Sequence, residues 1–267
     1  MWKVVSGTMS DTLLLERTDG VATVTLNRPG SRNALNSELL RSLYDAFVDL
    51  EADTSIAVVI LTGADPAFCA GLDLKELGAS GDNLRGSPSG ERERAGAPWP
   101  ALSKPLIGAV NGVAVTGGFE LALNCDFLIA SERAAFGDTH ARVGLLPGWG
   151  LSVLLPQAIG VRRAKEMSLT GNFMGAEEAL HFGLVNRVVA HDELLPVTRQ
   201  VAADIVGNDP RAVPALLDEY KRVTATTVAE GLQLEAELAR GWQGSGFDPT
   251  DVERRRQAIQ ERGRTQI

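Results

Sequence analysis

Cysteine and histidine are scarce in this sequence. Its 267 residues hold two cysteines, Cys69 and Cys125, and three histidines. Neither cysteine has a ligand-type residue at CxxC or CxxH spacing, so the sequence encodes no zinc site and no disulfide framework. Two isolated thiols in apolar or small-residue settings read as buried and reduced, which points to the cytoplasm. Basic charge is also short: Lys+Arg 26 stand against Asp+Glu 34, a net charge of −8. That balance argues against nucleic acid, whose phosphates call for basic patches. No apolar run reaches the ~18 residues of a membrane span. The opening MWKVVSGTMSDT lacks the apolar core of a signal peptide. A GxxxxGK[ST] phosphate loop is missing too, and no redox cofactor is implied.

What is present is an ordinary globular chain. Hydrophobic residues make up 44% and charged residues 22%, enough apolar matter for a real core. Residues 12–15 and 21–26 are β-rich around Asp19-Gly20, a hairpin signal. Residues 37–53 place Leu40, Leu43, Phe47 and Leu50 at helical spacing. The runs IAVVIL (56–61), LIGAV (106–110) and FLIA (127–130) are continuous rather than alternating, the mark of strands covered on both faces. Strands and helices in that order make an α/β layered fold. From residue 161 onward the patterns are mostly helical. The expected division is a core over 1–200 and a helical region over 201–267. Residues 78–100 are rich in Gly, Ser, Pro and charge, too polar to pack, and read as a lid. The tail carries Arg254, Arg255, Arg256, Arg262 and Arg264, a solvated helix face or a phosphate or subunit contact.

Three segments bear chemistry. In Ala67-Phe68-Cys69-Ala70-Gly71-Leu72-Asp73-Leu74, small residues let the backbone approach a ligand, though a strand-to-helix turn alone would look the same. In Asn111-Gly112-Val113-Ala114-Val115-Thr116-Gly117-Gly118-Phe119-Glu120, a glycine pair opens a helix, where free N–H groups can meet an oxyanion. Glu120 is either a general base or a carboxylate complementing the helix start. In Phe136-Gly137-Asp138-Thr139-His140, the histidine is either a surface residue or an acid/base. Asp138 is a weaker second carboxylate, and His181 and His191 read as structural. Trp99 and Trp149 are either core or pocket wall.

These segments, with LNRP at 26–29, RNALN at 32–36 and SLTG at 168–171, resemble the crotonase superfamily, the enoyl-CoA hydratase/isomerase family. The resemblance implies a spiral of ββα units with a helical C-terminal region, and a homotrimer or hexamer built on that region. It implies an acyl-CoA thioester as substrate, with coenzyme A entering as part of it and no separate cofactor or metal. The thioester oxygen would accept bonds from the N–H groups of Leu72 and Gly117. The coenzyme would lie along Arg28, Arg32, Ala34, Ala70, Leu72, Asp73, Leu74, Gly117 and Gly118. The family's hydratases use two glutamates; the first matches Glu120, and His140 stands where the second belongs. Hydration of a trans-2-enoyl-CoA through a thioester enolate is the expected reaction. The alternatives are double-bond isomerisation, another thioester-enolate reaction, or acyl-CoA binding without catalysis.

Overall fold

Turn chemistry at Asp19-Gly20 sets the first hairpin. Both residues are left-handed, with φ of 50° and 80°, the pairing that suits a tight turn between twisted strands. The turn joins β2 (Leu13–Thr18) to β3 (Val21–Leu26), and β1 (Val5–Ser10) pairs antiparallel with β2. The computed structural model describes residues 5–84, 97–245 and 247–265. Helix α1 (Ser37–Ala52) starts where the Asn36 side chain accepts the Leu39 N–H at 3.0 Å. Its inner face is Leu39, Leu43, Ala46, Phe47 and Leu50, all buried.

A repeating unit follows. Strand, tight turn, short strand and helix recur as β4 (Val58–Gly63), β5 (Ala67–Cys69) and α2 (Leu74–Ala79). They recur as β6 (Leu106–Val110), β7 (Val113–Val115) and α3 (Gly117–Leu123), and again as β8 (Phe127–Ser131), β9 (Ala135–Gly137) and α4 (His140–Val143). Next come α5 (Leu151–Ile159), α6 (Val161–Thr170), β10 (Phe173–Gly175), α7 (Ala176–His181), β11 (Arg187–Val189) and α8 (Leu194–Val206). The first strand of each unit enters a seven-stranded sheet of order β1-β2-β3-β4-β6-β8-β11; the second enters a four-stranded sheet of order β10-β9-β7-β5. Pairing is parallel from β3 to β11. This is the expected α/β spiral of ββα units. Alternation explains the continuous apolar runs: Val58 and Ile60 of β4 face the cluster with Leu194 and Ala202 of α8, while Val59 and Leu61 face the main core.

The chain divides into compact units after Asn208, later than the expected boundary at 200, because α8 packs on β4 and β6. The second unit holds α9 (Ala212–Val223), α10 (Val228–Ser245) and α11 (Pro249–Thr265). Within it Arg255 pairs with Asp209, Arg211 with Asp251, Arg254 with Asp251, and Arg256 with Glu253. Much of the arginine run is therefore engaged in local ion pairs. Among the described residues no helix is long and apolar enough to cross a membrane.

Other expectations need correction. Residues 85–96 of the expected lid lie outside the described residues; of the rest of the 78–100 stretch, Asn83 and residues 97–99 are buried while residues 78–80 are exposed. Asn83 is buried and donates to the carbonyls of Leu35 (3.1 Å) and Asp73 (3.0 Å). Trp99 is buried and stacks on Phe47 with ring centroids 4.7 Å apart. Polar composition hid one buried amide and one indole that α1 had room to receive, so Trp99 is core. His191 is structural as expected, tied to Ser131 and Asp65 at 3.0 Å each. Both cysteines are free and buried, and burial pushes the Cys69 thiol up to about 12.

Asn33 ties these elements together. It is buried and left-handed (φ 57°), and its amide donates to the carbonyls of Ala64 and Ala67 at 2.7 Å. Its own side-chain oxygen accepts the Arg28 N–H at 2.9 Å. Asn33→Ala should lower unfolding stability by roughly 2–4 kcal/mol, since buried carbonyls lose their donor. A urea midpoint equal to that of the parent would show the hub to be dispensable.

Candidate active site

Two turns of successive ββα units press backbone against backbone. Gly71 follows β5 with φ 84°, and a Cβ there would lie 2.8 Å from the Val115 carbonyl oxygen and 3.4 Å from the Gly117 nitrogen. Gly118 opens α3 against β5: a Cβ would sit 2.2 Å from the Cys69 carbonyl oxygen. The missing side chain of Gly118 therefore makes room for protein backbone. Thr116 between β7 and α3 takes φ 53° and ψ −116°, a sparsely populated conformation for a β-branched residue. Its N–H donates to the Gly137 carbonyl at 2.9 Å, and its hydroxyl accepts the Thr139 N–H at 3.2 Å and bonds the Thr139 hydroxyl.

The amide directions follow. Leu35 N–H donates to the Gly71 carbonyl at 2.8 Å and Asp73 N–H donates to the Leu35 carbonyl at 2.9 Å. Backbone groups alternate sides along an extended segment, so Leu72 N–H points away from Leu35. Among the described residues, no protein acceptor takes the N–H of Leu72 or of Gly117. The geometry thus brings two unengaged amides onto adjoining turns.

Glu120 lies on the first turn of α3 with 2% of its surface exposed. Its Oε1 accepts the N–H of Trp149 at 2.7 Å and that of Leu151 at 3.4 Å. Asn124 donates to the Trp149 carbonyl at 2.7 Å and so ties down the residue whose N–H meets the carboxylate. These donors belong to another segment, so Glu120 does not merely complement its own helix start. Burial raises its pKa above the usual carboxylate range, against the opposing Trp149 and His140 interactions.

His140 is buried at the start of α4, not on the surface. Its Nε2 lies 3.6 Å from Glu120 Oε2, and its Nδ1 lies 2.7 Å from Asp138 Oδ1. Burial pushes Asp138 upward, but hydrogen bonds from His140 and Ser168 outweigh that and hold it below the ordinary range. Asp138, Trp149 and Asn124 were not expected here in these roles. Asp138 stands two residues before His140, a visible signal; the Trp149 contact is a backbone amide, which leaves none.

The expected coenzyme-binding residues cluster in two tied pairs of segments. Arg28 pairs with Asp73 at 3.0 Å and donates to the Ala34 carbonyl. Ala70 N–H donates to the Arg32 carbonyl at 3.0 Å, while the Arg32 and Leu74 side chains are exposed. Trp149 is half-buried, with its ring 3.3 Å from a Cβ built on Gly117. Among the described residues, no group of three or more His, Cys, Asp or Glu side chains is arranged for a metal ion.

Comparison with known proteins places this arrangement. The family model for enoyl-CoA hydratase/isomerase matches residues 16–264. The chain is 37% identical over 258 residues to probable enoyl-CoA hydratase 1, peroxisomal, of Arabidopsis thaliana, covering 96% of each. It is 35% identical over 237 residues to the short-chain-enoyl-CoA hydratase of Clostridium acetobutylicum, covering 88% of this chain and 87% of that one. The crystal structure of enoyl-CoA hydratase from Mycobacterium smegmatis is 55% identical with a TM-score of 0.73, covering 88% of this chain and 100% of that one. That of Bacillus anthracis is 32% identical with a TM-score of 0.81, covering 94% and 96%. The chain, with its ββα spiral and its buried Glu120, belongs to the enoyl-CoA hydratase/isomerase family.

Proposed function

We propose that this protein is an enoyl-CoA hydratase that adds water across the double bond of a trans-2-enoyl-CoA. The observation that carries the reading is the buried Glu120–His140 pair, 3.6 Å apart, beside two unengaged amides. Water addition at the β-carbon pushes electrons onto the thioester oxygen. The amides of Leu72 and Gly117 would stabilise that enolate, each worth roughly 3 kcal/mol. One group of the pair takes a proton from water as its oxygen bonds the β-carbon; the other gives a proton to the α-carbon. The pair regains its starting proton count at the end.

A single shared proton is enough. Neutral Glu120 beside neutral imidazole contains one acid and one base, and so does the carboxylate beside imidazolium. In this reading coenzyme A lies along Arg28–Ala34 and Ala70–Leu74, with Gly118 behind the thioester, and no further cofactor is needed. We also read the protein as cytoplasmic, in keeping with its two buried thiols, and as a homotrimer or hexamer. The exposed Leu216, Tyr220, Val228 and Leu232 support assembly through the 209–267 unit. Sedimentation of the purified chain tests that, and a monomer would refute it.

Crotonyl-CoA should lose its enoyl absorbance with stoichiometric water addition. Glu120→Gln should lower kcat by about 10²-fold or more with KM little changed; full activity would end the reading. His140→Ala should do likewise, and an unchanged rate from about pH 5.5 to 8 would remove it from the mechanism. The parent's kcat/KM should trace a bell. At low pH the pair takes a second proton and has no base; at high pH it loses its last proton and has no acid. The raised pKa of Glu120 places its limb above the usual carboxylate range. Gly117→Pro should abolish turnover by deleting one donor.

A further inference from the structure

We propose that Asp138 is a positioning residue that fixes His140 in the tautomer with its proton on Nδ1, leaving the Nε2 lone pair aimed at Glu120. The proposal deepens the hydratase reading and rests on it for the reaction, though not for the tautomer. Asp138 Oδ1 faces two groups of His140: the backbone N–H at 3.1 Å and Nδ1 at 2.7 Å. An ionised carboxylate only accepts hydrogen bonds. At 2.7 Å, then, Nδ1 must carry the proton. In a neutral ring Nε2 is then bare.

The opposite tautomer would set a lone pair against a buried carboxylate. Asp138 is 1% exposed and His140 6%, so water is not at hand to relieve that repulsion. Asp138 is kept ionised because the bonds from His140 and Ser168 outweigh its burial. Turning the ring over would replace the Nδ1–H contact with a carbon. The side chain therefore has one favourable orientation and one favourable tautomer. Both direct Nε2 at Glu120 Oε2, from the far end of the same ring.

The 3.6 Å between Nε2 and Oε2 exceeds a direct hydrogen bond. The shared proton stays on one group rather than in a short bridge, and both groups remain free to meet a reactant. Of the described ionisable side chains, Glu120 from α3 and Asp138 from the β9–α4 turn are those that pair with His140. Ser168 of α6 bonds the same Asp138 carboxylate. Asp138 thus sets which nitrogen does chemistry, without touching substrate.

The test uses the full chain labelled with ¹⁵N-histidine. With three histidines the spectrum is tractable, and His140→Gln identifies the signals that belong to position 140. Titrated upward until the ring is neutral, the parent should show a protonated Nδ1 and an unprotonated Nε2. Asp138→Ala, which removes the acceptor facing Nδ1, should let the neutral ring carry its proton on Nε2 and lower kcat for crotonyl-CoA by about 10²-fold or more at little change in KM. Asp138→Glu should keep the parent tautomer and restore part of the rate. A neutral parent ring protonated on Nε2, or an Asp138→Ala protein with the parent tautomer, would overturn the proposal. Should Asp138→Ala fail to fold, the parent spectrum and the Asp138→Glu protein still decide it. The expected tautomer with no hydration of crotonyl-CoA would sink the hydratase reading and leave the tautomer lock standing.

Discussion

Close contact between the Gly71 turn and the Gly117-Gly118 turn is the constraint on which the site depends. A Cβ at Gly71 or Gly118 would come within 2.8 Å or 2.2 Å of a carbonyl oxygen of the other turn. Backbone atoms cannot be repacked as side chains can, so the contact fixes where α3 begins. The start of α3 in turn fixes Glu120, on its first turn. Interiors are packed densely enough that small shifts are felt, and here a shift would move amide donors and carboxylate together. Asn33 braces the same region from behind: it bonds the carbonyls of Ala64, Ala67 and Phe68 and so holds the approach to β5.

The second constraint is electrostatic. Glu120, His140 and Asp138 are all buried, and burying isolated charge is costly. The fold meets this with backbone donors. Trp149 and Leu151 donate to Glu120, and the His140 N–H donates to Asp138. The imidazole between the two carboxylates lets one proton settle the balance. Removing one member of such a set typically costs about 3–5 kcal/mol, because a buried charge is left without its partner. The same arrangement that makes the groups reactive makes them dependent on one another.

Parts of this were legible in the residues and parts were not. Long elements announced themselves: Leu43, Phe47 and Leu50 of α1 have a helical period, with Leu39 rather than the expected Leu40 on the buried face, and the apolar runs of β4, β6 and β8 are continuous. The strands β5, β7 and β9 have three residues each, too few to show any period, so the second sheet was invisible. Glu120 and His140 stand out in their motifs. Their burial does not, since a polar segment reads the same whether it faces water or a donor. The Trp149 amide and the Asp65–His191 contact across 126 positions depend on the folded path of the chain. Trp99 sits in a polar stretch, and only the space beside Phe47 makes it core.

A histidine where the resemblance implies a second glutamate makes sense as a matter of charge. Two buried carboxylates facing one reactant repel, so one is forced to hold a proton. Imidazole carries no charge when neutral and cannot supply that repulsion. In this chain the missing negative charge reappears at Asp138, behind the ring instead of in front of it. The net charge of Glu120, His140 and Asp138 with one shared proton is −1, the same as that of two carboxylates sharing one. In the proposed reaction the negative charge then lies on the far side of the imidazole from Glu120. In this proposal the histidine and the aspartate two residues before it form one unit, joined at 2.7 Å.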